Sequence, residues 1–323
     1  MKKILTIDVN PMIKTYGSIG NYLGILNANG FDTTGILINH YLDLYYAKNS
    51  VGFIERDYIK NQKFERQDFL FSENNFISKV KSEINNNHYV FLILNELYVE
   101  NKRIHRSYSY CHDWLVYGYD DETSTFKMVG YYGSEKLPRV YGTVDIIYTD
   151  LRNGVIHALD EKHMYKNTSL DNNVLWVKTA NIEEQVDFQR TKRKLKRYIR
   201  GQFLFCNKQL FLFTGKNVVQ LLINYHKIIR KKAADNKYFD VRNYRFCLEN
   251  KKIILLILRH YSNDIVLADK YEHEVVHKLQ MVLMLSAKHI IKPDSRINET
   301  IIELLISAQK MEKDIIYEFL ESN

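Results

Sequence analysis

Cys111-His112-Asp113-Trp114-Leu115-Val116-Tyr117-Gly118-Tyr119-Asp120-Asp121 sets a histidine at the head of an apolar run that ends in Gly-Tyr-Asp. Its aromatic and β-branched content reads as a strand. Asp120-Asp121-Glu122-Thr123-Ser124 follows as a polar turn cluster, and Thr125-Phe126-Lys127-Met128-Val129 reads as the returning strand of a hairpin. Val90-Phe91-Leu92-Ile93-Leu94 and Tyr141 to Tyr148 are further strand candidates. Ser18 to Asn29 carries Ile19, Tyr22, Leu23 and Leu26 at helical spacing, with Gly30 as a stop. Phe76 to Asn86 is a second short helix in this β-rich half.

Beyond Asn181 the pattern turns helical. Glu183–Arg200, Asn217–Lys232, Asp240–Ser262, Asp269–His289 and Arg296–Ser322 are the candidates, with Pro293 as a break. The expected fold class is α+β, with a domain over 1–155 and a mainly α-helical C-terminal domain over 156–323. Two domains also suit 323 residues, because single cores stop growing near ~250–300 residues.

Composition bounds the function. An apolar content of 46% and only 3 Pro argue against disorder and linker-dominated architecture. No apolar run reaches the ~18 residues of a membrane span, and the N-terminal apolar stretch is too short for a signal peptide. Three widely spaced cysteines give no disulfide framework, so the expected setting is reducing and cytoplasmic. The net charge of +8 is concentrated at Arg190, Lys192, Arg193, Lys194, Lys196, Arg197 and Arg200, with a second knot at Arg230-Lys231-Lys232. Such clusters attract acidic partners, either nucleic acid or an acidic protein, unless they are simply a solvated helix face.

The His112 strand resembles the histidine strand of papain-like cysteine enzymes, especially the bacteriocin-processing proteases. That resemblance implies a nucleophile at the start of the first core helix, where free N–H groups and the helix dipole stabilise a thiolate. Tyr16-Gly17-Ser18-Ile19-Gly20-Asn21-Tyr22-Leu23 occupies that place. Asn21 and Leu23 match the family, but a Cys is expected where Ser18 stands. Three readings of Ser18 remain: an engineered Cys-to-Ser replacement, a natural serine enzyme or a natural inactive relative. Cys111, Cys206 and Cys247 do not restore the pattern. In the family an Asn or Asp after the hairpin orients the histidine. No carboxylate stands there, in Met128-Val129-Gly130-Tyr131, and Asn95, Glu96 and Asp145 are the substitutes.

Phe239-Asp240-Val241-Arg242-Asn243-Tyr244-Arg245-Phe246-Cys247-Leu248-Glu249-Asn250-Lys251-Lys252 resembles a helix of proteins related to the butirosin acyltransferase and to the amide-forming enzyme of closthioamide assembly. This resemblance implies acyl transfer from a carrier-protein thioester to an amine, in a thiotemplated (nonribosomal) antibiotic pathway. Residue 18 would be the acyl-enzyme nucleophile and His112 the base. Tyr16, Gly17, Asn21, Tyr110, Trp114 and Tyr131 would line the substrate site. Lys192, Arg193, Lys196 and Arg197 would dock the acidic carrier. No cofactor is expected beyond the phosphopantetheine of that partner, and neither nucleic acid nor membrane is expected as a partner.

Alternatives are a peptidase or thioesterase of the same fold, a non-catalytic carrier-binding partner, and a zinc metallopeptidase. The last would use His273-Glu274-Val275-Val276-His277, a formal H-E-x-x-H, with Glu299 or Glu303 as third ligand. Phe213-Thr214-Gly215-Lys216-Asn217 lacks the first Gly and the final Ser/Thr of a phosphate loop. It reads as a turn entering a helix.

Overall fold

The structure, a computed structural model, describes residues 1–47, 50–55, 57–101, 103–133, 140–160, 172–178, 183–201, 203–206, 210–231, 241–262, 265–292 and 294–322. Lys232, Phe239, Asp240 and Pro293, and the side chain of Cys206, lie outside the described residues. In chain order the elements begin β1 (Lys2–Ile4), α1 (Gly17–Ala28), α2 (Thr34–His40), β2 (Leu44–Ala47), β3 (Ser50–Phe53), α3 (Tyr58–Gln62), β4 (Phe64–Asp68) and α4 (Phe76–Asn85). Next come β5 (Tyr89–Asn95), β6 (Cys111–Asp120), β7 (Thr125–Tyr132), β8 (Val140–Ile147), α5 (Tyr148–Asp160) and β9 (Asn173–Val177). The remainder is mainly helical: α6 (Phe188–Arg200), β10 (Phe203–Cys206), β11 (Leu210–Thr214), α7 (Lys216–Lys231), α8 (Arg242–Tyr261), α9 (Ile265–Tyr271), α10 (His277–Ile291) and α11 (Ser295–Ser322). The class is α+β.

Two compact units divide the chain: Met1–Thr33 with Asp57–Ile182, and Thr34–Arg56 with Glu183–Asn323. The expected boundary at 155/156 is corrected, because it falls inside α5 and because residues 34–56 belong to the later unit. Residues of the Arg242–Lys252 segment show why. Asn243 Oδ1 accepts the Val51 N–H at 2.9 Å, and Asn250 Nδ2 donates to Leu42 O at 2.6 Å. Phe246 packs edge-on against Phe53, with centroids 5.7 Å apart. Buried backbone groups need such partners, so this helix fixes the inserted segment by satisfying them.

The first unit is built on an antiparallel seven-stranded sheet ordered β4-β9-β5-β6-β7-β8, with β1 on β6 beyond the end of β5. Alternation along β6 gives each face its own layer. Leu92, Leu94, Trp114, Val116 and Met128 form one core with Phe76, Val80 and Ile84 of α4 and Leu151 and Val155 of α5. α1 lies on the opposite face, where Tyr22 stacks on Phe91 with ring planes 6° apart.

The second unit holds a four-stranded sheet ordered β10-β11-β2-β3 and the helices α2 and α6–α11. Gly215 has φ +62, and an added Cβ would meet Tyr198 O at 2.2 Å. The turn entering α7 therefore requires glycine. At the centre, Lys251 and Glu312 form a buried ion pair at 3.0 Å. Tyr271 donates to Glu312 Oε1 at 2.8 Å and Tyr198 to Oε2 at 3.0 Å.

Candidate active site

α1 starts at Gly17, so Ser18 is its second residue, half-buried in the first turn. The first backbone bond of the helix runs from the Gly20 N–H to Tyr16 O at 3.0 Å. The N–H groups of Gly17, Ser18 and Ile19 thus precede the helical ladder and give that end its positive character. No acidic residue stands in the helix's own first turn, and Tyr16 caps it without a side-chain bond.

A carboxylate from the sheet takes that place. An added Cβ on Gly17 would stand 3.5 Å from Asp113 Oδ2 and 3.5 Å from the Tyr131 ring. The other oxygen of Asp113, Oδ1, is 3.5 Å from His112 Nε2. Asp113 thus lies between the N-terminal end of α1, which carries Ser18, and the histidine. Sequence reasoning missed it. The one available signal was alternation, which turns the residue after His112 toward the face that α1 covers.

His112 pairs with Leu94 across the ladder, and its side chain is 15% exposed. Its Nδ1 is 3.9 Å from Glu96 Oε1. Glu96, 1% exposed, accepts from Arg106 Nε at 3.0 Å, and Arg106 Nη2 donates to Gly133 O at 3.0 Å. Burial opposes the Arg106 charge, but the hydrogen bond and charge of Glu96 outweigh it and hold its pKa above the ordinary value. Tyr110, Trp114 and Tyr131 surround the imidazole, with ring centroids 6.0, 6.1 and 6.4 Å away.

Of the three expected orienting groups, Glu96 alone faces the histidine. Asn95 is fully buried and holds the local turn: its Oδ1 accepts from Leu97 N and Tyr110 N, and its Nδ2 donates to Ser109. Asp145 is corrected outright. It pairs with Lys127 at 2.5 Å, and Lys127 lies opposite Gly118. Gly118 is six residues along β6 from His112, about 20 Å at strand rise.

The expected substrate residues divide in the same way. Tyr131 and Gly17 meet at the site, and Tyr131 donates to Lys14 O at 2.5 Å. Tyr16 caps α1 and Tyr110 stacks beside His112. Trp114 is corrected to a core residue: it is 0% exposed and packs against Gly130, where an added Cβ would stand 2.8 Å from Trp114 Cε3. Asn21 is fully buried and accepts from Tyr141 OH at 2.8 Å. Burial, helped by Tyr131 and by the charges of Asp113 and Asp8, holds the Tyr141 phenol well above its ordinary pKa, so it remains a donor.

No hydrogen bond joins Ser18 to His112 among the described residues. Register explains this, because His112 shares the Leu94 side of the ladder while α1 covers the Asp113 side.

The remaining motifs resolve simply. Glu272–Val276 forms a π turn between α9 and α10, with His273 and His277 both exposed. Glu274 is shared between Lys278, at 2.6 Å, and His273 Nδ1, at 3.0 Å, and no cluster of three potential metal ligands occurs among the described residues. Cys247 is buried, which pushes its thiol up to about 12, far from a reactive thiolate. On α6, Thr191, Leu195, Tyr198 and Ile199 are buried while Arg193, Lys196, Arg197 and Arg200 are exposed. Lys194 is buried and donates to Asn39 O, and Arg197 pairs with Asp43. No helix among the described residues is long and apolar enough to cross a membrane.

No family model and no curated protein matches this sequence.

Proposed function

We propose that this chain is a papain-like acyltransferase, which moves an acyl group from a carrier-protein thioester to an amine through residue 18. One observation carries the reading: the first turn of α1 and the His112 imidazole lie on either side of the Asp113 carboxylate. Three components of acyl transfer are thus close together: a side chain on a helix N-terminus, a histidine base and uncommitted backbone N–H groups.

In the proposed reaction the residue 18 nucleophile attacks the thioester carbon and the phosphopantetheine thiol leaves. First-turn N–H groups hold the oxyanion. His112 accepts the nucleophile's proton and returns it to the leaving thiol. It then takes a proton from the amine as the amine attacks the acyl carbon, and gives that proton to residue 18 as it leaves, which forms the amide and restores the starting state. Glu96, fixed by Arg106, orients the imidazole from the Nδ1 side. The proposed reaction requires the His112 imidazole to turn past Asp113 toward Ser18 when substrate is bound, since active-site contacts commonly form only in the substrate complex. The exposed basic stripe of α6 supplies a docking face for an acidic carrier.

The test is intact-mass measurement of Ser18→Cys after incubation with acylated carrier protein. The acyl adduct should form, discharge on adding an amine, and fail to form in Ser18→Cys/His112→Ala. A folded Ser18→Cys protein that never acquires the adduct rejects the reading. Discharge to water at the same rate with or without amine identifies the hydrolase alternative. Reversing Lys192, Arg193 and Lys196 to Glu should slow transfer from the carrier protein and spare a small thioester donor.

A further inference from the structure

The second unit contains a cavity of about 300 Å³ between α6, the start of α7 and α11. It includes no residue of the Ser18–His112 site. Three lysines stand around it: Lys216 at the start of α7, and Lys310 and Lys313 on α11. None of the three forms an ion pair among the described residues; Lys313 only overlies the Tyr317 ring, 5.8 Å from its centroid. The one carboxylate in the lining, Glu312, is already neutralised by Lys251 and saturated by Tyr198 and Tyr271. Among the described residues the lining therefore presents three lysine charges with no ion-pair partner.

Its walls are held in place. Gln309 Nε2 donates to Lys216 O at 3.1 Å, which ties α11 to the start of α7. Ile306, Lys310 and Lys313 recur at i, i+4 and i+7, so one face of α11 presents an apolar residue and two cations together. Ile199 adds apolar surface from α6, and Asn217 and Gln220 add amide donors. Ile306 is 46% exposed, so its side chain is open to the cavity mouth.

Like charges brought together repel, and a bound anion removes that repulsion. Lysine heads recognise a phosphate as point charges, amides complete its hydrogen bonds, and apolar walls suit a hydrocarbon body. A volume near 300 Å³ lies at the small end of ligand pockets. We propose that this cavity binds a small organic phosphate, with its phosphate among Lys216, Lys310 and Lys313 and its apolar body along Ile199 and Ile306. The site is not a phosphate loop: Gly215 serves the turn, and the charges come mostly from α11.

Calorimetric titration of the full chain with phenyl phosphate and with inorganic phosphate tests this. Phenyl phosphate should bind about tenfold more tightly, because its ring buries apolar surface that inorganic phosphate lacks. Lys310→Ala/Lys313→Ala should weaken phenyl phosphate by about tenfold, and high salt should do the same to the wild-type protein. Both lysines are exposed, so the variant should melt like the parent. Ile306→Glu, also at an exposed position, adds a carboxylate to the lining and should weaken phenyl phosphate further. Absence of binding by either probe, or undiminished binding in both variants, overturns the proposal. Binding of heparin without binding of phenyl phosphate also overturns it, since that marks an open basic surface.

Discussion

His226 should make the stability of the second unit depend on pH, in a direction set by its burial. It is 0% exposed. Its Nδ1 lies 2.5 Å from Asn298 Oδ1, and its Nε2 is bonded to Tyr244 OH. The Tyr244 phenol is held well above its ordinary pKa by burial, so it donates to Nε2 while Nδ1–H donates to Asn298. One neutral tautomer satisfies both contacts. Burial dominates and lowers the His226 pKa from 6.5 to about 4; Asn298 opposes this and nearby His289 reinforces it. The unfolded chain therefore binds the proton first, and stability rises with pH across the window between those values. The contribution is complete above the unfolded pKa. It shrinks by about 2 kcal/mol at about pH 5 and by about 3 kcal/mol below the folded value. Urea melts of the parent and of His226→Gln, at about pH 7.5 and about pH 5, isolate the effect from other titrating groups. The parent should lose about 2 kcal/mol more than the variant on acidification. Equal losses in both proteins would refute the assignment of a neutral, buried His226.

Lys251→Met should destabilise the second unit by about 3–5 kcal/mol in urea melts, because it strands Glu312 as a buried carboxylate. In the first unit, Arg106→Met should cost a similar amount, about 3–5 kcal/mol, by leaving Glu96 buried without its cation; a loss below about 1 kcal/mol would show Glu96 to be solvated. Gly130→Ala should cost about 1–3 kcal/mol and change the near-ultraviolet circular dichroism, since the new methyl group displaces Trp114. His277→Ala should leave both the zinc content of the purified protein and its melting temperature unchanged; loss of one bound zinc per chain would restore the metallopeptidase reading.

The secondary elements were legible because their periods are local. The Ile19, Tyr22, Leu23, Leu26 spacing gave α1, and apolar, aromatic and β-branched runs around a polar turn gave the β6–β7 hairpin and its neighbour β5 to within a few residues. β1, α3, α5, β10 and β11 were missed, and so were α2, β2, β3, β4 and β9. Most of these are short segments, and strands such as β2, β4 and β9 have pairing partners far away in sequence, as with Tyr46 opposite Phe213 or Leu175 opposite Arg66. The same limit hid the division of the chain, since nothing local in residues 34–56 says that Asn243 and Asn250 will complete their hydrogen bonds.

Sequence alone determined the candidate chemistry: a histidine heading a strand, a polar residue at a helix start and a basic helix face, each fixed by residue type and local period. Tertiary structure alone decided which groups meet. It assigned Glu96 rather than Asp145 to His112, because strand register sets distances that sequence separation does not. It placed Asp113 between His112 and α1, because successive residues on a strand face opposite layers. It gathered Lys216, Lys310 and Lys313 around one cavity, because helix packing, not chain order, brings α7 and α11 together.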